Sequence, residues 1–176
     1  MVRALLALIL LAAPAAAATV PPSRHAPPVI SDTWLNSPPI GDLKGRVALI
    51  EFWTFGCGNC QATVPAMERL WSDYRGRSLV VIGVHTPETD YERDPESVRR
   101  AISKQGISFP VALDSEYKNW KAFHNRYWPA IYLVDAKGDI AFEHIGELHV
   151  GTADWKSLTH EIDALLKDTR SPRRGR

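Results

Sequence analysis

An α/β sandwich with a mixed sheet is the fold class this sequence predicts, and three observations carry it. Strand-like and helix-like stretches alternate first, and a hairpin plus a helix close the chain. The run Leu79-Val80-Val81-Ile82-Gly83-Val84 is short, β-branched and unbroken, which is how a strand covered on both faces reads. The only two cysteines, Cys57 and Cys60, fall where another buried strand hands over to a helix.

The 176 residues suffice for one domain with a real core, and 45% hydrophobic content is that of an ordinary soluble protein. Residues 1–18 read as a secretory signal: Arg3 is the charged start, an apolar run follows, and small residues end at Ala18. The alternative is an uncleaved leader that tethers the domain; the run is short for a full span, which takes about 20 apolar residues. Removing Arg3 with the leader, which contains no acid, takes the formal charge from +1 to 0. Such a balance points to no nucleic-acid partner. Residues 19–28 hold four prolines and read as a linker, 29–168 as the folded domain, and 169–176 as a basic tail.

Within the domain, Val29 to Pro39 carries Trp34 and Leu35 without a clean period, fitting a short hairpin or edge segment before a turn at Asp42-Leu43-Lys44-Gly45. Val47-Ala48-Leu49-Ile50 then leads as a strand into Glu51-Phe52-Trp53-Thr54-Phe55-Gly56-Cys57-Gly58-Asn59-Cys60. From Gln61 the spacing turns helical, with Val64, Met67, Leu70, Trp71 and Tyr74 on one face. After the strand at Leu79, Asp94-Pro95-Glu96 opens a helix, Asp94 as N-cap and Pro95 in the first turn, with Val98, Ala101 and Ile102 facing inward. A strand at Phe109 to Leu113 and a helix around Ser115 to Phe123 follow. Ala130 to Val134 and Ile140 to Ile145 form a hairpin about the turn Asp135 to Gly138, and the last helix runs from about Asp154 to Lys167.

The chemistry centres on Cys57 and Cys60. Cys57 at a helix start meets unpaired backbone N–H groups and the positive end of the helix dipole, which favour a thiolate. Cys60, one turn on, is placed to close a disulfide behind it. Half a zinc site is the competing reading, but no second cysteine pair completes four ligands, and nothing makes His144 and His149 converge on the helix start. A purely structural bridge across so short a loop would constrain the unfolded chain little.

With these features in place, the chain resembles the thioredoxin superfamily, and within it the extracytoplasmic TlpA/ResA/DipZ-like thiol-disulfide oxidoreductases, from about Pro27 to Lys167. Glu51 lies six residues before Cys57, where thioredoxins carry a buried acid, and Pro65 lies five after Cys60, where the family's active-site helix holds a proline. Trp128-Pro129 matches the family's cis-proline facing the disulfide, and Val84 to Leu113 resembles the αβ insertion of the TlpA-like branch. The resemblance implies a thioredoxin-like fold, a central mixed sheet flanked by helices. It further implies Cys57 as nucleophile, Cys60 as resolving thiol, Glu51 as its proton acceptor, and the backbone at Trp128 and Pro129 as the edge that pairs with substrate. No metal and no cofactor beyond the redox-active Cys57–Cys60 disulfide is expected.

Partners implied in the same way are protein thiols and disulfides and a membrane electron donor of the DsbD/CcdA kind, with a role such as cytochrome c maturation or disulfide repair in the bacterial periplasm. Trp53, Phe55, Tyr127 and Trp128 are candidates for an apolar docking rim, Trp128 foremost. The sequence also departs from the pattern. Gly56 stands where many thioredoxins have tryptophan, and Gly58-Asn59 supplies neither the proline of reducing thioredoxins nor the histidine of strongly oxidising relatives. The absence of a cation between the cysteines leans towards a reductant. Two alternatives share the fold: a peroxiredoxin-like peroxidase, for which Thr54-Phe55-Gly56-Cys57 matches only the short motif, and a Sco-like copper protein using His124, His144 or His149.

Overall fold

The computed structural model describes residues 24–170. The leader, the first half of the proline-rich stretch and the tail beyond Arg170 lie outside them. The central strand β2 (Val47–Trp53) continues the apolar run through Glu51, and all seven of its residues are buried. It runs parallel to β3 (Leu79–His85), with Val47 opposite Leu79 and Glu51 opposite Gly83. The edge on that side is built from β4 (Val111–Leu113), parallel to β3, and β1 (Trp34–Leu35), antiparallel to β4. On the other side β5 (Ala130–Val134) pairs antiparallel with β2, and β6 (Ile140–Ile145) pairs antiparallel with β5. The six-stranded sheet thus has the order β1-β4-β3-β2-β5-β6 and is mixed, as the element order predicts.

Because strand side chains alternate, β2 serves two cores. Leu49 and Trp53 face one cluster, shared with α1 (Gly58–Tyr74), α2 (Pro95–Gln105) and α4 (Ala153–Arg170), through residues such as Met67, Leu70, Ile102, Leu158 and Ile162. Ala48, Ile50 and Phe52 face the other, with Phe123, Tyr132 and the half-buried Trp120 of α3 (Lys118–Ala122). Helices therefore cover both faces. Glu51 shares the parity of Leu49 and Trp53, so its side chain points to the face that carries α1.

The structure refines several boundaries. Segment 29–39 carries a two-residue edge strand, Trp34–Leu35, and no hairpin. β4 begins at Val111 because Pro110 has no N–H for a ladder; its carbonyl accepts from Gly83 N at 2.9 Å. α3 is shorter than expected because residues 115–117 form a turn ahead of it, ending in left-handed Tyr117 at φ 58°, and the Asp114 carboxylate takes the N–H groups of Asn119 at 3.0 Å and Trp120 at 2.9 Å. α2 starts as expected, with Asp94 accepting from Ser97 N at 3.0 Å, and Gly106 closes it in a left-handed conformation at φ 71°. Ala101 is only half-buried. The segment expected as linker is docked where it can be described: Ala26 N donates to Gly138 O at 2.8 Å and Ile140 N to Arg24 O at 2.9 Å.

Candidate active site

β2 ends at Trp53, and the chain turns through Thr54, Phe55 and Gly56 to reach Cys57, the N-cap of α1. The Cys57 sulfur accepts the Cys60 N–H at 3.2 Å, so it occupies the place of an N-cap acceptor and takes one of the helix's orphan donors. Both cysteines are free thiols, yet their surroundings differ: Cys57 is half-buried, and Cys60 is 1% exposed. Burial pushes the Cys60 thiol up, and the hydrogen bond and charge of Cys57 push the same way, as does the charge of Glu51. Pro65 lies inside α1, as the resemblance implies.

Glu51 is 2% exposed. With no cation to offset the loss of water, burial raises its pKa to about 8. This carboxyl lies close enough to Cys60 for its charge to act on that thiol. A solvent-facing edge glutamate is thereby set aside. The Trp128-Pro129 bond is cis. Phe52 pairs with Ala130 in the β2–β5 ladder, so Pro129, one residue earlier, lies alongside Trp53 at the end of β2 from which the cysteine loop departs. The five residues singled out in the sequence are thus gathered at one end of the central strands.

The aromatic candidates separate. Trp53 does not belong to a rim: its ring is buried, edge-on to His85 at 5.0 Å. Phe55 is half-buried and stacked on His85 at 5.5 Å, and Tyr127 is 59% exposed. Trp128 lies over Trp120 at 4.1 Å and donates its indole N–H to Thr86 O at 3.1 Å. Among the described residues, no group of three or more His, Cys, Asp or Glu side chains gathers as a metal site. His144 approaches the Glu147 carbonyl, and His149 the Glu147 carboxylate.

Sequence reasoning missed a set of buried polar residues packed around the loop: Thr54, His85, Thr86 and Glu92. His85 Nε2 stands 3.4 Å from Thr54 Oγ1, and burial lowers the pKa of the ring to about 4 against an opposing pull from Glu92. Glu92 sits on a short 3-10 turn, Asp90–Arg93, at the start of the insertion, and its carboxylate accepts the Gly56 N–H at 2.8 Å. One signal was present: Thr89-x-x-Glu92 has the spacing of a capping box, which the structure forms. Nothing in the sequence ties it to Gly56, 36 residues away.

The fold, with paired cysteines at a helix start beside a cis-proline, defines a class, the thioredoxin-like proteins. Within it the chain belongs to the AhpC/TSA family, whose description matches residues 31–143. It is 44% identical over 142 residues to Protein DipZ of Mycobacterium tuberculosis, covering 78% of this chain and 20% of DipZ, so it spans about a fifth of that relative's length. It is 26% identical over 138 residues to the thiol-disulfide oxidoreductase YkuV of Bacillus subtilis, covering 77% of this chain and 89% of YkuV. Among solved structures, a thiol-disulfide isomerase from Corynebacterium glutamicum superposes with a TM-score of 0.64 at 27% identity, covering 80% of this chain and 96% of that one.

Proposed function

We propose that this protein is an exported thiol-disulfide oxidoreductase that reduces disulfides in protein substrates through Cys57 and Cys60. The observation that carries the reading is the asymmetry of the pair: one sulfur half-exposed at a helix start, the other buried behind it beside a protonatable carboxyl.

In the forward direction the Cys57 thiolate attacks one sulfur of a substrate disulfide. The substrate S–S bond breaks, a mixed disulfide forms, and the other substrate sulfur leaves as a thiolate that takes a proton from water. Cys60 then gives its proton to ionised Glu51, through water, and attacks the Cys57 sulfur. The mixed disulfide breaks, the second substrate thiolate leaves and is protonated, and the Cys57–Cys60 disulfide carries the two electrons' worth of oxidation. With a pKa of about 8, roughly a tenth of Glu51 is ionised at pH 7, and the protonated remainder serves the reverse transfer. Trp128 and Pro129 supply the backbone edge that holds the substrate segment, a role resting on the family resemblance.

Export rests on the leader at residues 1–18, and no helix among the described residues is long and apolar enough to cross a membrane. In an oxidising compartment a reductant needs a supply of electrons, which makes a membrane donor of the DsbD/CcdA kind the matching partner. Cytochrome c maturation and disulfide repair are the roles that fit such a supply.

The deciding experiment is the equilibrium reduction potential of the pair in protein lacking residues 1–18, by thiol trapping in defined redox buffers. A value near that of thioredoxin, about −270 mV, is expected. A value near about −120 mV would reverse the direction to disulfide formation, and failure to form a reversible disulfide would end the redox reading.

A further inference from the structure

The space left by the missing side chain of Gly56 is filled from another part of the chain. Glu92 is 3% exposed, and a Cβ placed on Gly56 would collide with its Oε1, the atom that accepts the Gly56 N–H. Its other oxygen accepts the N–H groups of Glu88 and Thr89 at 2.7 Å each, and the Thr89 hydroxyl at 3.2 Å. Burial alone would raise the pKa of this carboxyl; the Thr54 hydroxyl and the amides of Thr89, Glu88 and Gly56 outweigh it and hold the group below the usual range. Glu92 is therefore a charged knot with one arm in the insertion and one in the loop that presents the nucleophile.

Neighbouring contacts hold the same loop. Phe55 O accepts from Gln61 Nε2 at 2.7 Å and from Gln105 Nε2, at the end of α2, at 3.4 Å. The Phe55 ring is stacked on His85 and meets Tyr91 edge-on at 5.8 Å. Gln61 belongs to α1, whereas Tyr91, Glu92 and Gln105 belong to the insertion. The residues just before Cys57 are thus braced largely by the insertion.

We propose that Glu92 is a positioning residue for the dithiol: by clamping the Gly56 N–H it fixes the loop that presents Cys57 to Cys60, and so favours closure of the disulfide. The proposal rests on the redox reading of the cysteine pair. Two thiols held in register act on each other at a high effective concentration, and loosening one of them lowers it. Gly56 follows from the same contact, because any side chain there would displace the carboxylate.

The test is the equilibrium between dithiol and disulfide against glutathione in four full-length proteins: wild type, Glu92→Ala, Gly56→Ala and the double variant. Each single change is expected to shift the equilibrium towards the dithiol by about tenfold, equivalent to about 30 mV. The double variant is expected to shift no further than either one, since both break one contact and alanine at 56 fits the room that Glu92 leaves. A role in stability alone would lower the melting temperature and leave the equilibrium in place. Single variants within about twofold of wild type, or shifts that add in the double, would overturn the proposal.

Gly56→Ala leaves the insertion's own residues intact and carries the test if Glu92→Ala does not fold. Hydrogen exchange at the Gly56 amide needs no redox activity and separates the two ideas. If wild type forms no reversible disulfide, the redox reading fails by itself. The clamp then stands only if this amide exchanges about tenfold or more faster without the Glu92 carboxylate or with alanine at 56, where the amide is read at the substituted residue. An unchanged rate ends it.

Discussion

Gly83 lies against the indole Nε1 of Trp53: a Cβ placed on it would stand 2.8 Å from that nitrogen and 2.8 Å from Cε2 of Phe109. The glycine inside a buried strand is there because two aromatic rings meet over it. Gly83→Ala should therefore destabilise the protein by about 1–3 kcal/mol, the usual range for overpacking a tight core. Urea denaturation with an unchanged m-value would measure it, and a loss under about 0.5 kcal/mol would show that the rings can give way.

Two buried groups set opposite pH dependences. Glu51 titrates at about 8 folded against an ordinary 4.5, so its contribution is full below pH 4.5 and is lost as pH rises towards 8. His85 titrates at about 4 against 6.5, so its contribution is full above pH 6.5 and is lost as pH falls towards 4. Each slope is about 1.4 kcal/mol per pH unit, and the two cancel between about pH 4.5 and 6.5. The reduced protein should be flat across that window and lose about 2 kcal/mol between pH 6.5 and 8. In Glu51→Gln the upper decline should vanish and a rise with pH between 4 and 6.5 should emerge; denaturation curves at half-unit steps would show both.

The same carboxyl should leave a kinetic mark. The resolving step in wild type is expected to speed up as pH rises through about 8, where Glu51 becomes the base. Glu51→Gln should slow that step by about 10²-fold and abolish the rise. Stopped-flow tryptophan fluorescence on a preformed mixed disulfide isolates it. An unaltered rate would remove Glu51 from the proton path.

Unequal access to the two sulfurs predicts unequal variants. Cys60→Ser should accumulate a mixed disulfide between Cys57 and a disulfide substrate, whereas Cys57→Ser should accumulate none, because the remaining sulfur is buried. Non-reducing mass spectrometry reads both at once, and trapping through Cys60 would reverse the assignment.

Asp114 is a buried carboxylate bound by four donors: Thr86 Oγ1 at 3.1 Å, Asn119 N at 3.0 Å, Asn119 Nδ2 at 3.2 Å and Trp120 N at 2.9 Å. Asp114→Ala leaves these donors without their acceptor and should cost about 2–4 kcal/mol, with Asp114→Asn recovering part of it. Thermal unfolding of the two variants side by side would give the difference.

What was legible in the sequence was whatever depends on local pattern. The run from Leu79 to Val84 announced a strand buried on both faces, Asp94-Pro95-Glu96 announced a helix start, and Asp135 to Gly138 announced a hairpin turn. Cys57 at the N-cap of α1 follows from the change of period at Gln61. Contacts distant in sequence were not legible. Glu92 looks like a capping residue until the fold brings Gly56 against it, and Asp114 looks like a loop acid until α3 is seated on it. Trp53 is indistinguishable in sequence from a rim aromatic; only the pairing of β2 with β3 and β5 shows that it lies inside.

Burial of Cys60 behind Cys57 has a consequence for traffic. A protein with a single reachable sulfur has one doorway, and whatever brings electrons must leave before whatever takes them can enter. On the proposed function, donor and acceptor would queue at the same face, compete with each other when either is abundant, and never be joined through this protein in a three-membered complex. Turnover of that kind would be ping-pong.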